Sequence, residues 1–264
     1  MLQSIYLRNQ RQLDARQAIG VSPVRFFGKL GKEERDRVLV IFVLVLFVVF
    51  FWAAFEQGGG LMNLYTDEKV NRTVLGFTVP TTMMQGANSF FIIVFAPVFA
   101  SMWTWLAGRG KEPRTATKMA YGLLLVSFGF VMMMLAARES AAAGKAALIW
   151  VLLAYLFHTW GELSLSPVGL SMVTKLAPKR FASALMGVWF LSNATANKLA
   201  GMLGGAAEKA GELTMFTIIA VGTAAAGLVL LTISAKLTRM MHGAEAVTEA
   251  PPAAGPAGTS PSVA

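Results

Sequence analysis

Two of the chain's fourteen acidic residues, Glu56 and Glu162, lie well inside long apolar tracts. A carboxylate in hydrocarbon is costly enough that it is paired, hydrogen-bonded or set against a wet cavity, and it marks a functional site by default. Helical spacing gathers other groups around each. Trp52, Glu56, Gly59 and Asn63 fall at i, i+4, i+7 and i+11, while His158, Glu162, Ser166 and Gly169 form a matching stripe on another tract. Gln85 and Asn88 share a face of a third tract, and Trp189, Asn193 and Asn197 a face of a fourth. The chemistry such residues suit is the lining of a solute pathway. Blander readings compete: Asn88 serves equally well as interhelical glue worth ~0.6 kcal/mol, His158 is read as a packed helix residue, and Lys198 is expected to snorkel from the outer part of its helix.

Bond-breaking chemistry finds no support. The chain has no cysteine and only two histidines, His158 and His242, which excludes thiolate sites and leaves no basis for a histidine-built zinc site. His158 and Glu162 lie along one helix face, so neighbouring serines do not complete a Ser-His-Asp arrangement. Neither paired membrane aspartates nor an HExxH helix is present. The chain therefore reads as no enzyme and needs no cofactor; what remains is a transporter, a channel or a structural membrane protein.

The elements that must carry these residues follow from composition. Hydrophobic residues make up 55% of the chain and charged ones 14%, against ~25% charged in an ordinary soluble domain. Tracts of ~20 apolar residues can each cross ~30 Å of hydrocarbon. Six are marked, at residues 38–65, 80–107, 117–137, 146–176, 181–205 and 213–237. Residues 1–37 read as a cytoplasmic basic linker, 38–238 as a six-helix transmembrane bundle, and 239–264 as a disordered cytoplasmic tail. Glu56 and Glu162 open the first and second three-helix sets, where a transporter of inverted repeats places its cavity-lining helices. Gly58-Gly59-Gly60 predicts close packing or a bending point on the first tract. Pro167 predicts a kink one turn beyond Glu162, and Pro97 a second break. Of 23 Lys and Arg, 17 lie in the arm, the second and fourth connections and the tail, so both ends are expected to be cytoplasmic. These charges sit at helix ends instead of in one patch, which gives no reason to expect nucleic acid as a partner.

Phe51-Trp52-Ala53-Ala54-Phe55-Glu56-Gln57 with Leu61-Met62-Asn63-Leu64-Tyr65 resembles the seventh helix of the proton-dependent oligopeptide transporter family, a branch of the major facilitator superfamily. The run from Gly161-Glu162-Leu163-Ser164-Leu165-Ser166-Pro167 to Lys175-Leu176-Ala177-Pro178 resembles its tenth helix, and Met186-Gly187-Val188-Trp189-Phe190-Leu191 with Asn197 its eleventh. The resemblance implies an all-α polytopic bundle, the C-terminal half of a twelve-helix proton-coupled symporter of di- and tripeptides in the plasma membrane, a bacterial inner membrane being expected. It implies as partners small peptides, the lipid bilayer and an N-terminal six-helix half, with protons as the coupling ion. It assigns Glu162 and Asn88 to the peptide's amino terminus, Glu56 to proton coupling, Trp52 and Trp189 to side-chain pockets, and Ser166 as a further contact. Two features depart from the family's usual pattern: the glycine triplet, and the presence of His158 and Lys198 at their positions. The alternatives are a major facilitator transporter for another small solute, or a structural or regulatory membrane subunit that does not transport.

Overall fold

A computed structural model describes residues 30–244. Most of the basic arm and of the tail lies outside the described residues, and so do the expectations made for them. Long helices dominate, in the order α1 (Lys32–Phe55), α2 (Leu61–Lys69), α3 (Thr81–Ala107), α4 (Thr115–Ala143), α5 (Leu148–Leu176), α6 (Ala182–Ala210) and α7 (Glu212–Met240). Five segments, Lys32–Lys69, Thr81–Ala107, Thr115–Ala143, Leu148–Leu176 and Glu212–Met240, are long and apolar enough to cross a membrane. Helix α6 has the length but carries Asn193, Asn197 and Lys198 in mid-helix. The all-α bundle of six long helical segments expected from hydropathy is what the chain forms.

Helix α1 begins with acids in its first turn, Glu33 and Glu34, which suits the positive end of the helix dipole. It runs through an apolar stretch free of glycine and proline, then stops. The first tract is not one helix to Tyr65: Glu56–Gly58 form a 3-10 turn and α2 starts afresh at Leu61. The glycine triplet cheapens the break, and side chains occupy the backbone groups it leaves. The Tyr155 hydroxyl donates to the Gly58 carbonyl at 2.8 Å. Buried Gln57 donates through Nε2 to the carbonyls of Ala53 at 3.1 Å and Ala200 at 3.0 Å, tying the turn to α6. The single polar stripe expected from Trp52 to Asn63 is thus cut, because helical register ends at Phe55 and Asn63 belongs to α2.

Short strands not anticipated by periodicity fill one end. Val70–Asn71 pair in parallel with Ala146–Ala147, and Thr73–Val74 with Phe77–Thr78 across Leu75-Gly76. Both turn residues have positive φ, 50° and 82°, as a two-residue hairpin matched to strand twist requires. At the opposite end of α1, Glu33 pairs with Arg37 and Glu34 with Arg180, His242 meets Asp36 at 3.0 Å, and Arg37 donates to the Met241 carbonyl. These contacts gather the start of α1, the α5–α6 link and the end of α7.

Helix α4 is the structural centre, packed on α5 and α7. Its crossing with α5 is a glycine contact: a Cβ on Gly122 would stand 2.8 Å from the Gly161 carbonyl, and one on Gly161 the same distance from that of Gly122. Phe51, Leu123, Phe130, Leu165 and Phe216 fill the interior. Helix α3 leans on α5 and on α2, with Met84 as its buried residue. Both Pro97 and Pro167 are carried inside continuous helices.

Candidate functional site

The centre of the site is an amide clamped to a carboxylate between α3 and α5. Asn88 Nδ2 donates to Glu162 Oε2 at 3.1 Å and to Thr159 Oγ1 at 3.1 Å, and Thr159 in turn donates to the Tyr155 carbonyl at 2.8 Å. Both amide hydrogens are committed, which orients the Asn88 side chain and leaves its oxygen as an acceptor. Among the described residues no cation reaches Glu162, and its Oε1 has no donor. A half-buried carboxylate with one oxygen fixed and one open, next to a free amide oxygen, is a receptor for a hydrogen-bonding cation. Thr159, three residues before Glu162 on the same helix, was not legible as a member. Threonine bonded to its own helix is commonplace, and nothing in the sequence says that α3 meets α5 here.

Glu56 sits at the break after α1, half-buried and without a hydrogen-bonding or ionic partner among the described residues. It also lines a cavity of about 830 Å³, with Gln57, Tyr65, Glu68, Asn197 and Glu212. The structure therefore places Glu162 in the Asn88 clamp and Glu56 at the cavity.

Trp189 of α6 is buried against Gly169, two turns beyond Glu162, where any Cβ would come within 2.3 Å of its ring. Trp52 is half-buried and packs edge-on against Phe51 and Phe55, with ring centres 5.4 and 5.1 Å away. Ser166 is half-buried one turn after Glu162, without a hydrogen-bond partner among the described residues. Trp52 and Ser166 make no recorded bond to the Asn88–Glu162 pair. His158 is fully packed, with its ring 4.9 Å from that of Phe130 and its Nε2 without a hydrogen-bond partner among the described residues. Among the described residues no cluster of His, Asp and Glu could hold a metal ion.

Against this geometry, the model of the POT family, PTR2, matches residues 8–238. The chain belongs to the POT family. A peptide transporter of Yersinia enterocolitica, YePEPT, is 36% identical over 225 residues, 83% of this chain and 44% of that protein. The uncharacterized transporter YclF of Bacillus subtilis is 35% identical over 218 residues, 81% of this chain and 43% of that one. Among solved structures, a POT peptide transporter in complex with sulfate superposes with a TM-score of 0.76 at 31% identity, over 91% of this chain and 54% of that one. A POT family transporter in complex with 5-aminolevulinic acid gives 0.72 at 27% identity, over 89% and 53%. The chain thus spans about half the length of the curated relatives it matches. As a POT member with several apolar helices it is a multi-pass membrane protein of a transporter family.

Proposed function

We propose that this chain is the C-terminal half of a proton-coupled symporter of di- and tripeptides. The bundle corresponds to residues 38–238, between a basic linker (1–37) and a tail (239–264), and a second six-helix half supplies the facing wall. The observation that carries the reading is the Asn88–Glu162 clamp, a polar cation receptor held between two membrane-length helices of a POT family member.

In the assembled protein the peptide ammonium binds Glu162 and the Asn88 oxygen as a charge-assisted pair. Trp52 offers an apolar wall that tolerates varied side chains, Ser166 offers a hydroxyl one turn along α5, and Trp189, packed on Gly169, holds α6 against α5 behind the site. Glu56, unpaired in this half, exchanges a proton and an ionic partner as the two bundles rock. Protons are the coupling ion and no organic cofactor takes part. The positive-charge bias sets both ends in the cytoplasm of a cell whose plasma membrane holds the transporter, a bacterial inner membrane fitting this reading.

The test is reconstitution of this chain with its second half. Dipeptide uptake that requires both halves and an inward proton gradient supports the reading; uptake indifferent to the gradient overturns it. A second reading, transport of another small solute, is favoured by the family member in complex with 5-aminolevulinic acid. It gains if that compound is taken up and dipeptides do not compete.

A further inference from the structure

The polar face of α6 leaves one charge unexplained. Residues Leu185, Trp189, Ser192, Ala196, Ala200 and Ala207 are the buried members of this helix among the described side chains and share one side of it. Lys198 stands on the opposite side, about 165° round the axis at 3.6 residues per turn. It is exposed, and among the described residues no carboxylate pairs with it. The sequence reading puts Lys198 in the outer part of its span, whereas the helix bounds put it just beyond the middle. Helix α6 runs Ala182–Ala210 with Ala196 at its midpoint, so Lys198 lies about 3 Å of helical rise beyond the middle. With the middle of the helix at the bilayer centre, about 12 Å of a ~30 Å hydrocarbon core separates it from the nearer interface, more than a four-carbon stem spans.

An ammonium at that depth persists only with a counter-charge or a wet cavity. Its side of the helix mixes small and large exposed residues: Gly187, Ala194, Gly201 and Gly205 stand among Leu191 and Met202, and a Cβ at any of the three glycines would meet nothing within 4 Å. The chain itself spans only about half of its relatives.

We propose that Lys198 forms an intramembrane ion pair with a carboxylate on a transmembrane helix of the second half, seated along the small-residue side of α6. This rests on the two-half reading above and adds to it the chemistry of one contact. The ammonium supplies the charge complementarity that selects the partner, and the small side chains let its helix come close enough to place the carboxylate.

The probe is the portion of the Yersinia peptide transporter that this chain leaves unmatched, tagged and coexpressed with the full chain. Wild type and Lys198→Arg are expected to copurify it equally, Lys198→Met at least tenfold less, and Lys198→Glu not at all. Replacing one membrane carboxylate of that portion by lysine is expected to restore capture by Lys198→Glu. Each variant is first shown to be monodisperse in detergent. Copurification that is the same for Arg, Met and Glu at this position overturns the ion pair alone. Equal loss in Lys198→Arg overturns it too, by showing a demand for shape instead of charge. If even the wild type captures nothing, the two-half reading fails along with it. Capture by Lys198→Met at the wild-type level with loss of dipeptide uptake assigns Lys198 to a water-filled pathway and overturns the pair.

Discussion

At the scale of single residues, the two carboxylates separate by what holds them. Glu162 is fixed by Asn88, whereas Glu56 has no hydrogen-bonding or ionic partner among the described residues. A fixed anchor needs to stay charged; a coupling group must gain and lose its proton. In the complete transporter, Glu162→Gln is expected to weaken peptides with a free amino terminus by ~1.5–3 kcal/mol, the range for a charge-assisted hydrogen bond, and to affect N-acetylated peptides far less. Competition binding with both ligand types measures this, and equal losses would make Glu162 structural. Glu56→Gln is expected to abolish gradient-driven uptake while sparing peptide counterflow, which needs binding and rocking but no net proton movement. Both assays on one reconstituted mutant decide it: loss of counterflow, or survival of driven uptake, removes Glu56 from the coupling role. Both carboxylates were legible in the sequence because charge is conspicuous in hydrocarbon. Thr159 was not, since its part depends on α3 arriving beside α5.

At the scale of elements, the break after α1 and the crossing of α4 on α5 carry the architecture. The Gly58 carbonyl is satisfied by Tyr155 from a neighbouring helix. Tyr155→Phe removes that donor and keeps the ring, so it is expected to cost ~1–3 kcal/mol, the penalty for an acceptor left unsatisfied in the interior. Thermal unfolding in detergent reads the loss; an unchanged midpoint would mean that water replaces the hydroxyl. The α4–α5 crossing leaves no room at all. In Gly122→Val the new Cβ would meet the Gly161 carbonyl at 2.8 Å and Leu165 Cβ at 2.9 Å, and overpacking of this kind costs ~1–3 kcal/mol or more. Gly86→Ala on α3, where a Cβ meets nothing within 4 Å, serves as the control and is expected to leave the midpoint unchanged or slightly raised. The triplet Gly58-Gly59-Gly60 announced something at the first tract but not which outcome. Packing and bending both occur there: Gly58 lies under Tyr155, where a Cβ would stand 3.4 Å from the ring, while Gly59 and Gly60 complete the turn.

At the scale of the whole molecule, a bundle with one wall of a cavity does not alternate access, which takes two bodies rocking about a site. Liposomes holding this chain alone are therefore expected to show no proton-driven dipeptide uptake above protein-free controls. Uptake by the lone chain would require a second copy to act as the facing wall and would displace the two-half reading. Hydropathy by itself determined the class, because an apolar tract of membrane length has few other uses and backbone groups in lipid leave only helices to span it. Motif residues by themselves picked out Glu56, Glu162, Asn88 and the tryptophans. The tertiary structure alone decided that the first tract breaks after Phe55, that Asn88 clamps Glu162, and that Lys198 faces away from its own bundle. Each depends on which helix lies beside which: local periodicity gives the face of a helix but not its neighbour, and hydrogen bonds such as those from Tyr155, Gln57 and Asn88 exist only once the neighbours are in place.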